Sequence, residues 1–268
     1  MKLNRMLTCL AMLACLALPS LSLAQEKYPA KPIRVVVPFP AGISPDVVAR
    51  LWAERVSKAE DFVSVVRLVT VPYLLLVPAD SPFKTLKDLI ADAKARPGKL
   101  TYGSFGIGQG THVAMARLLN EAGVSMLHVP YNAPQLDLIA GRIDALIDAP
   151  TTSLPLIKGG KIRALAVMGT KRLDTLPDVP TVAETLPGFM AESWQGIFAP
   201  KGTPPEVVAM LSRLTHKILA ADDFRSKIHE LGLAIADANT PEEFRKYLVE
   251  DARIWSKVVR DNNIKVQQ

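Results

Sequence analysis

The chain has 268 residues, a formal charge of +6 and 49% apolar residues, enough to bury a substantial core in one large domain or two small ones. Its 32 Lys and Arg against 26 Asp and Glu are spread along the chain with no block of like charge. That distribution argues against nucleic acid and points mildly to an anionic partner.

Lys2 and Arg5 precede an uncharged run from Met6 to Leu18, and Ser22-Leu23-Ala24 then offers small residues for cleavage. This is the pattern of a secretory leader over residues 1–24, with an apolar stretch shorter than the roughly 20 residues a spanning helix needs. Met12-Leu13-Ala14-Cys15 resembles a lipoprotein cleavage site, but using it would leave too short an apolar region. Cys9 and Cys15 both fall inside the leader. The mature chain, expected to start at Gln25, therefore has no cysteine for a disulfide or a thiolate metal site. Removing Lys2 and Arg5 with the leader, which carries no acid, lowers the charge from +6 to +4. No later apolar run is long enough to cross a bilayer, so the mature protein is not expected to span the membrane.

Ile33 to Val37 reads as a buried strand that Pro38-Phe39-Pro40-Ala41-Gly42 breaks. Ser44-Pro45-Asp46 then opens a helix through about Lys58. Phe62 to Val77 holds two short β-rich runs parted near Thr70 and Pro72. Thr85 caps a helix that Pro97-Gly98 ends. Leu100 to Ser104 is a strand, followed by the loop Gly106-Ile107-Gly108-Gln109-Gly110 and a helix from Thr111 to Ala122 that Gly123 closes. Further strands are predicted at Met126–Val129, Ala145–Ile147, Arg163–Val167 and Ser193–Ala199, with helical pieces at Pro134–Ala140 and Leu154–Lys158. Thr203-Pro204-Pro205-Glu206 and Thr240-Pro241-Glu242-Glu243 both read as capping boxes. They start helices over Pro205–Ala220 and Pro241–Asn262, with another at Asp223–Leu231 between them. The alternation of strand and helix predicts an α/β fold with a mainly parallel sheet.

Two loops, residues 38–46 and 104–112, share one character. Each follows a strand, is rich in Gly or Pro, and leads its backbone amides into a helix start. Such amides, with the helix dipole behind them, hold a carboxylate or phosphate without a dedicated Lys or Arg. Ser104, Gln109 and Thr111 add side-chain partners. The same pattern also fits ordinary α/β connections. Asp148, at the end of a strand, fits either an acid that orients a bound hydroxyl or one that caps the next turn.

Enzyme motifs fail. The glycines at 106, 108 and 110 lack the last glycine of a dinucleotide fingerprint and the Lys of a P-loop. No serine sits in a G-x-S-x-G elbow. His112, His128, His216 and His229 offer no pair spaced for zinc, so no metal or cofactor is expected. Read alone, His112 and His128 suit structural or solvated positions better than catalytic ones. The nearest candidate catalytic set is Ser104, Thr111 and His112, without a supporting motif. Trp52, Trp194 and Trp255 read as packing residues.

Several strings together resemble one family. Pro32-Ile33-Arg34-Val35-Val36-Val37-Pro38-Phe39-Pro40, Pro97-Gly98-Lys99-Leu100, His128-Val129-Pro130-Tyr131, Ala140-Gly141-Arg142-Ile143-Asp144, Lys161-Ile162-Arg163-Ala164-Leu165-Ala166-Val167 and Leu176-Pro177-Asp178-Val179-Pro180-Thr181-Val182-Ala183-Glu184 are similar to the Bug family. These are solute-binding receptors of tripartite tricarboxylate transporters. The resemblance implies a type II periplasmic-binding fold with two lobes joined by hinge strands, here residues 25–77 with 191–268 and residues 78–190. It also implies a small organic carboxylate as ligand, membrane transporter subunits as partners, and a periplasmic location. The ligand would lie between Phe39, Pro40, Ala41, Gly42, Ser44 and Asp46 of the first loop and Ser104, Gly106, Gly108, Gln109, Gly110, Thr111 and His112 of the second, with Tyr131 and Asp148 nearby.

The chain departs from the family pattern at two places. The first loop carries Gly42-Ile43 where the family has two glycines, and Pro45 where it has Thr, so a donor is lost and the backbone is less open. Between Lys58 and Phe62 something like sixty residues, about two strand-helix units, are missing. A truncated first lobe with a smaller sheet and an uncovered edge is therefore expected. A degenerate receptor acting as an interaction protein and a periplasmic hydrolase are the competing readings.

Overall fold

The computed structural model describes residues 62–237, 239–262 and 264. The expected leader, both cysteines, the strand at 33–37, the first helix with Trp52, and the loop from Phe39 to Asp46 lie outside them.

Two sheets organise the described chain. The first has three strands in the order β7-β1-β8: β1 is Phe62–Pro72, β7 is Glu192–Pro200 and β8 is Ala234–Ile235. The second has five, in the order β4-β3-β5-β2-β6. Here β2 is Leu74–Pro78, β3 is Thr101–Ser104, β4 is Leu127–Pro130, β5 is Ala145–Asp148 and β6 is Ile162–Val167. The helices are α1 Leu86–Ala95, α2 Gly110–Ala122, α3 Pro134–Ile139, α4 Pro150–Lys158, α5 Pro205–Leu219, α6 Asp222–Glu230 and α7 Pro241–Asp261.

Strand β2 shows why the second sheet holds. All five of its residues are buried, with Tyr73, Leu75 and Val77 in one apolar cluster and Leu74 and Leu76 in another. Successive side chains of a strand point to opposite faces. An unbroken apolar run therefore serves a sheet covered on both sides, by residues of α1 and α2 on one face and of α3 and α4 on the other.

The expected mainly parallel sheet is corrected. Among the described strands only β3 with β4 and β3 with β5 pair in parallel, while β2 runs antiparallel to both β5 and β6, and β1 antiparallel to β7 and β8. Alternation of strand and helix is satisfied by the three parallel neighbours alone. Direct passage from β1 into β2 carries the chain between sheets, which period and composition do not encode. The break within residues 62–77 falls at Tyr73, so β1 runs unbroken through Thr70 as an 11-residue strand.

Capping was legible in two places of three. Thr85 with Asp88 and Thr240 with Glu243 form reciprocal capping boxes. At Thr203 the box is absent: α5 begins one residue later than the pattern requires, with Pro204 at the cap, and the Thr203 hydroxyl turns back to donate to the Pro200 carbonyl. Two prolines in succession shift the helix start, and the threonine loses its register with Glu206. Helix α4 begins at Pro150, four residues before the expected start, because Pro suits a first helical position.

Two connections cross between the sheets, β1 to β2 at Tyr73 and β6 to β7 through the stretch from Met168 to Ala191, and they meet side by side. The Met168 amide donates to the Tyr73 carbonyl and the Ala191 amide to the Met168 carbonyl, each at 2.8 Å. Beside them, a side-chain carbon on Gly169 would meet Glu192 Oε1 at 2.7 Å and Pro72 Cβ at 2.9 Å, so only glycine lets the segments approach. On the first sheet Phe244 of α7 is 1% exposed and lies directly over Gly196.

Gly196→Ala should lower stability by about 1–3 kcal/mol through overpacking against Phe244; an unchanged urea midpoint would show the ring can move aside. Burial pushes the Glu192 carboxyl up, against the Thr170 amide and the Arg67 charge. A raised folded-state value favours folding at low pH, and this benefit is lost as pH rises through it. Glu192→Gln, which keeps an acceptor for Thr170, should therefore gain melting temperature over the native chain at about pH 7.5 and lose that gain by about pH 4.5. A variant less stable at both pH values would contradict this.

Candidate functional site

The parallel trio β4-β3-β5 brings three strand ends together. Ser104 pairs with Pro130 in register and Tyr102 with Ala145, so the carboxyl ends of β3, β4 and β5 share one edge. In α/β sheets that edge carries ligands, because the chain leaves each strand there in a loop that opens a helix.

The loop after β3 is shaped by its own groups. Gly106 and Gly108 have φ of 135° and 73°, which residues with a Cβ rarely adopt. Ser104 is fully buried, and its hydroxyl lies 3.1 Å from the Gly106 carbonyl and 3.2 Å from the Gly106 amide. The Gly108 amide donates to His112 Nδ1 at 2.8 Å, which requires that nitrogen to carry no proton. Val113 makes the first helical bond, to the Gln109 carbonyl. The first amides of α2 thus have no partner within the helix, no side chain caps them, and no acid stands in the first turn.

Two polar atoms at this helix start are buried without a hydrogen-bond partner: Gln109 Oε1 and Thr111 Oγ1. A buried unpaired polar group costs roughly 1–3 kcal/mol. The Thr111 hydroxyl and the Gly110 and Thr111 amides make a small patch able to bind an anion by neutral donors, while the unpaired Gln109 Oε1 beside them can accept from a hydroxyl of the same ligand.

A stack of rings lies beside the loop. His112 and His128 are 3.9 Å apart at 7°, and Tyr102 stacks on His128 at 4.9 Å. His128 Nε2 is 2.6 Å from Ser104 Oγ, and burial holds its pKa below the usual histidine value. Two charged imidazoles at that separation would repel strongly, so the two rings are not charged together. His128 thus takes a structural position, packed in a stack of rings. Its partnership with Tyr102 follows from the parallel pairing that sets residues 102 and 128 opposite one another, a register no local pattern discloses.

Tyr131 joins the loop through its backbone, its amide donating to the Ser104 carbonyl at 2.9 Å. Its half-buried side chain packs on the second apolar cluster. Asp148 stands at the same edge but is occupied: it accepts from Gln135 Nε2, Thr152 Oγ1, Ser153 Oγ and the Ala149 amide at 2.7–3.1 Å. Burial raises its pKa while those four bonds oppose the rise. Of the two roles open in the sequence, these contacts match the turn cap. Gln135 and Ser153 were not among the candidate residues. The expected first loop, Phe39 to Asp46, is outside the described residues.

Serine chemistry finds no support here. Ser104 Oγ is buried away from solvent, and His112 Nδ1 is occupied by the Gly108 amide. Among the described residues no group of three or more His, Cys, Asp or Glu is placed to hold a metal ion. None of the described helices is long and apolar enough to cross a membrane.

Residues 43–264 match the model of the tripartite tricarboxylate transporter family receptor. The UPF0065 protein in the tcbD-tcbE intergenic region of Pseudomonas sp. (strain P51) is 32% identical, over 91% of this chain and 90% of that protein. Among solved structures, Rpa4515 of R. palustris with adipate superposes with a TM-score of 0.70 at 35% identity, covering 76% of this chain and 69% of that one. The periplasmic binding protein BugD superposes with a TM-score of 0.67 at 30% identity, covering 77% and 71%. The expected type II periplasmic-binding fold and Bug resemblance are thereby borne out, and the chain belongs to the tripartite tricarboxylate transporter receptor family, whose members are solute-binding receptors and not enzymes.

Proposed function

We propose that this protein captures a small organic carboxylate in the periplasm and presents it to the membrane subunits of a tripartite tricarboxylate transporter. The observation that carries the reading is the start of α2, where the Gly110 and Thr111 amides adjoin the unpartnered Thr111 hydroxyl and Gln109 Oε1 at the carboxyl edge of the parallel strands. Family membership supports it, as does the adipate bound by the R. palustris relative. In this reading residues 1–24 are removed on export, and two lobes form about the two sheets. The ligand's carboxylate is held by the 104–112 loop with Tyr131 alongside, facing the Phe39–Asp46 loop. Binding would favour the closed arrangement by its extra contacts there.

A second reading is favoured by the length of one match. The alignment to the Pseudomonas relative spans 302 positions and takes in 91% of this chain. As 91% of 268 residues is about 244, some 58 positions have no residue of this chain opposite them. This supports a segment missing from the chain, which the family resemblance puts in the first lobe, and with it a receptor that no longer binds and serves as an interaction protein.

Titration of the mature protein with adipate, malate, succinate and citrate separates the two. A working receptor gives binding heat with at least one acid, and a melting temperature raised by about 5–10 °C at a hundred times the Kd. A folded protein silent to all four would leave only the second reading. Gly110→Asp places a negative charge at the first residue of α2, where an acid suits the helix dipole, so folding should persist. Affinity for the acid should nevertheless fall about tenfold or more; an unchanged affinity would remove this loop from the site.

A further inference from the structure

Helix α7 belongs to both sheets. Its first half lies on the first sheet, where Phe244 packs over Gly196 and edge-on to Trp194 with centroids 5.4 Å apart, and Tyr247 lies beneath the Arg67 guanidinium at 4.1 Å. Its second half leaves that sheet. Trp255 packs against the apolar cluster of the second sheet, and α7 touches α2, the helix whose start forms the candidate site.

One carboxylate ties these halves together. Asp251 Oδ2 accepts from Trp194 Nε1 of β7 at 3.0 Å, and Oδ1 accepts from Trp255 Nε1 one helical turn on at 3.1 Å. Each oxygen thus holds an indole, one on the first sheet and one that reaches the second. Arg67, Tyr247 and Glu192 supply the surrounding charge and polarity. The two crossing connections, one at Tyr73 and one ending at Met168 and Ala191, lie beside this group, since Glu192 directly follows Ala191 and bonds Thr170 just past Met168.

We propose that α7 is a strap across the hinge, with Asp251 as the residue that fastens it. This rests on the two-lobe reading above. The strap limits how far α2 can swing from the first sheet and so keeps the binding-competent arrangement populated. A receptor whose competent state is only partly populated binds more weakly in proportion. Asp251 is therefore a positioning residue for a ligand it does not touch.

Asp251→Asn and Trp255→Phe test this. The first replaces one acceptor oxygen by a donor facing an indole N–H, and the second deletes one donor while keeping an apolar ring. Both leave the backbone free to fold, which circular dichroism checks. Spin labels at Lys94→Cys on α1 and Lys217→Cys on α5 report the separation of the sheets, since the mature chain is expected to have no other cysteine. In the ligand-free state both variants should show a longer and broader distance distribution than the native chain. Adipate, or whichever of the four acids binds the native chain, should bind them about tenfold more weakly. Folded variants that lose melting temperature but keep the native distances would overturn the strap and leave plain packing. If no acid binds the native chain, the receptor reading fails, while the ligand-free distances still decide the strap.

Discussion

The parallel placement of β3 between β4 and β5 is the constraint on which the site depends. Because all three strands run the same way, Ser104, Pro130 and Asp148 end on one edge, and each following loop starts there. Were β3 antiparallel to either neighbour, its glycine loop and that neighbour's loop would lie at opposite ends of the sheet. The buried core of β2 and the helices on both faces hold that trio flat against its neighbours. Packing thus secures the geometry, and strand direction gives it meaning.

On this frame the protein prepares an anion site from neutral groups. The Gly108 amide is spent on His112, and the Ser104 hydroxyl on its own loop and His128. What remains open is the head of α2 and its two unpaired side-chain atoms. The Gly108–His112 bond and the stacked rings sit beside the loop, and the helix start supplies the attraction for an anion. A site of amides and hydroxyls recognises a carboxylate by direction as well as by charge. Asp148 contributes by holding the neighbouring turn, with its own charge buried under four donors.

The hinge and the C-terminal helix show a related economy. Small residues and close backbone pairing bring the two crossing connections together, and Gly169 leaves room for Glu192 between them. The indole pair on Asp251 uses residues that composition alone marks as packing. Here they pack and donate at once, since an indole buries a large ring while its N–H still needs an acceptor.

Local chemistry was readable from the chain itself. Thr85 announced its cap, and Thr240 its capping box because cap and acid lie three residues apart in one turn. Gly123 closed α2 in the left-handed conformation that glycine tolerates, and the 104–112 loop declared itself by glycines between a strand and a helix. What depended on residues distant in sequence was not readable. The antiparallel place of β2, the Tyr102–His128–His112 stack and the filling of Asp148 by Gln135 and Ser153 all follow from strand register and direction. So does the Asp251 link between Trp194 and Trp255 across sheet and helix. A sequence specifies each residue's local preference and chemistry. Which groups from separate segments meet is decided by the pairing of strands and the packing of helices over them, and only the tertiary structure fixes that.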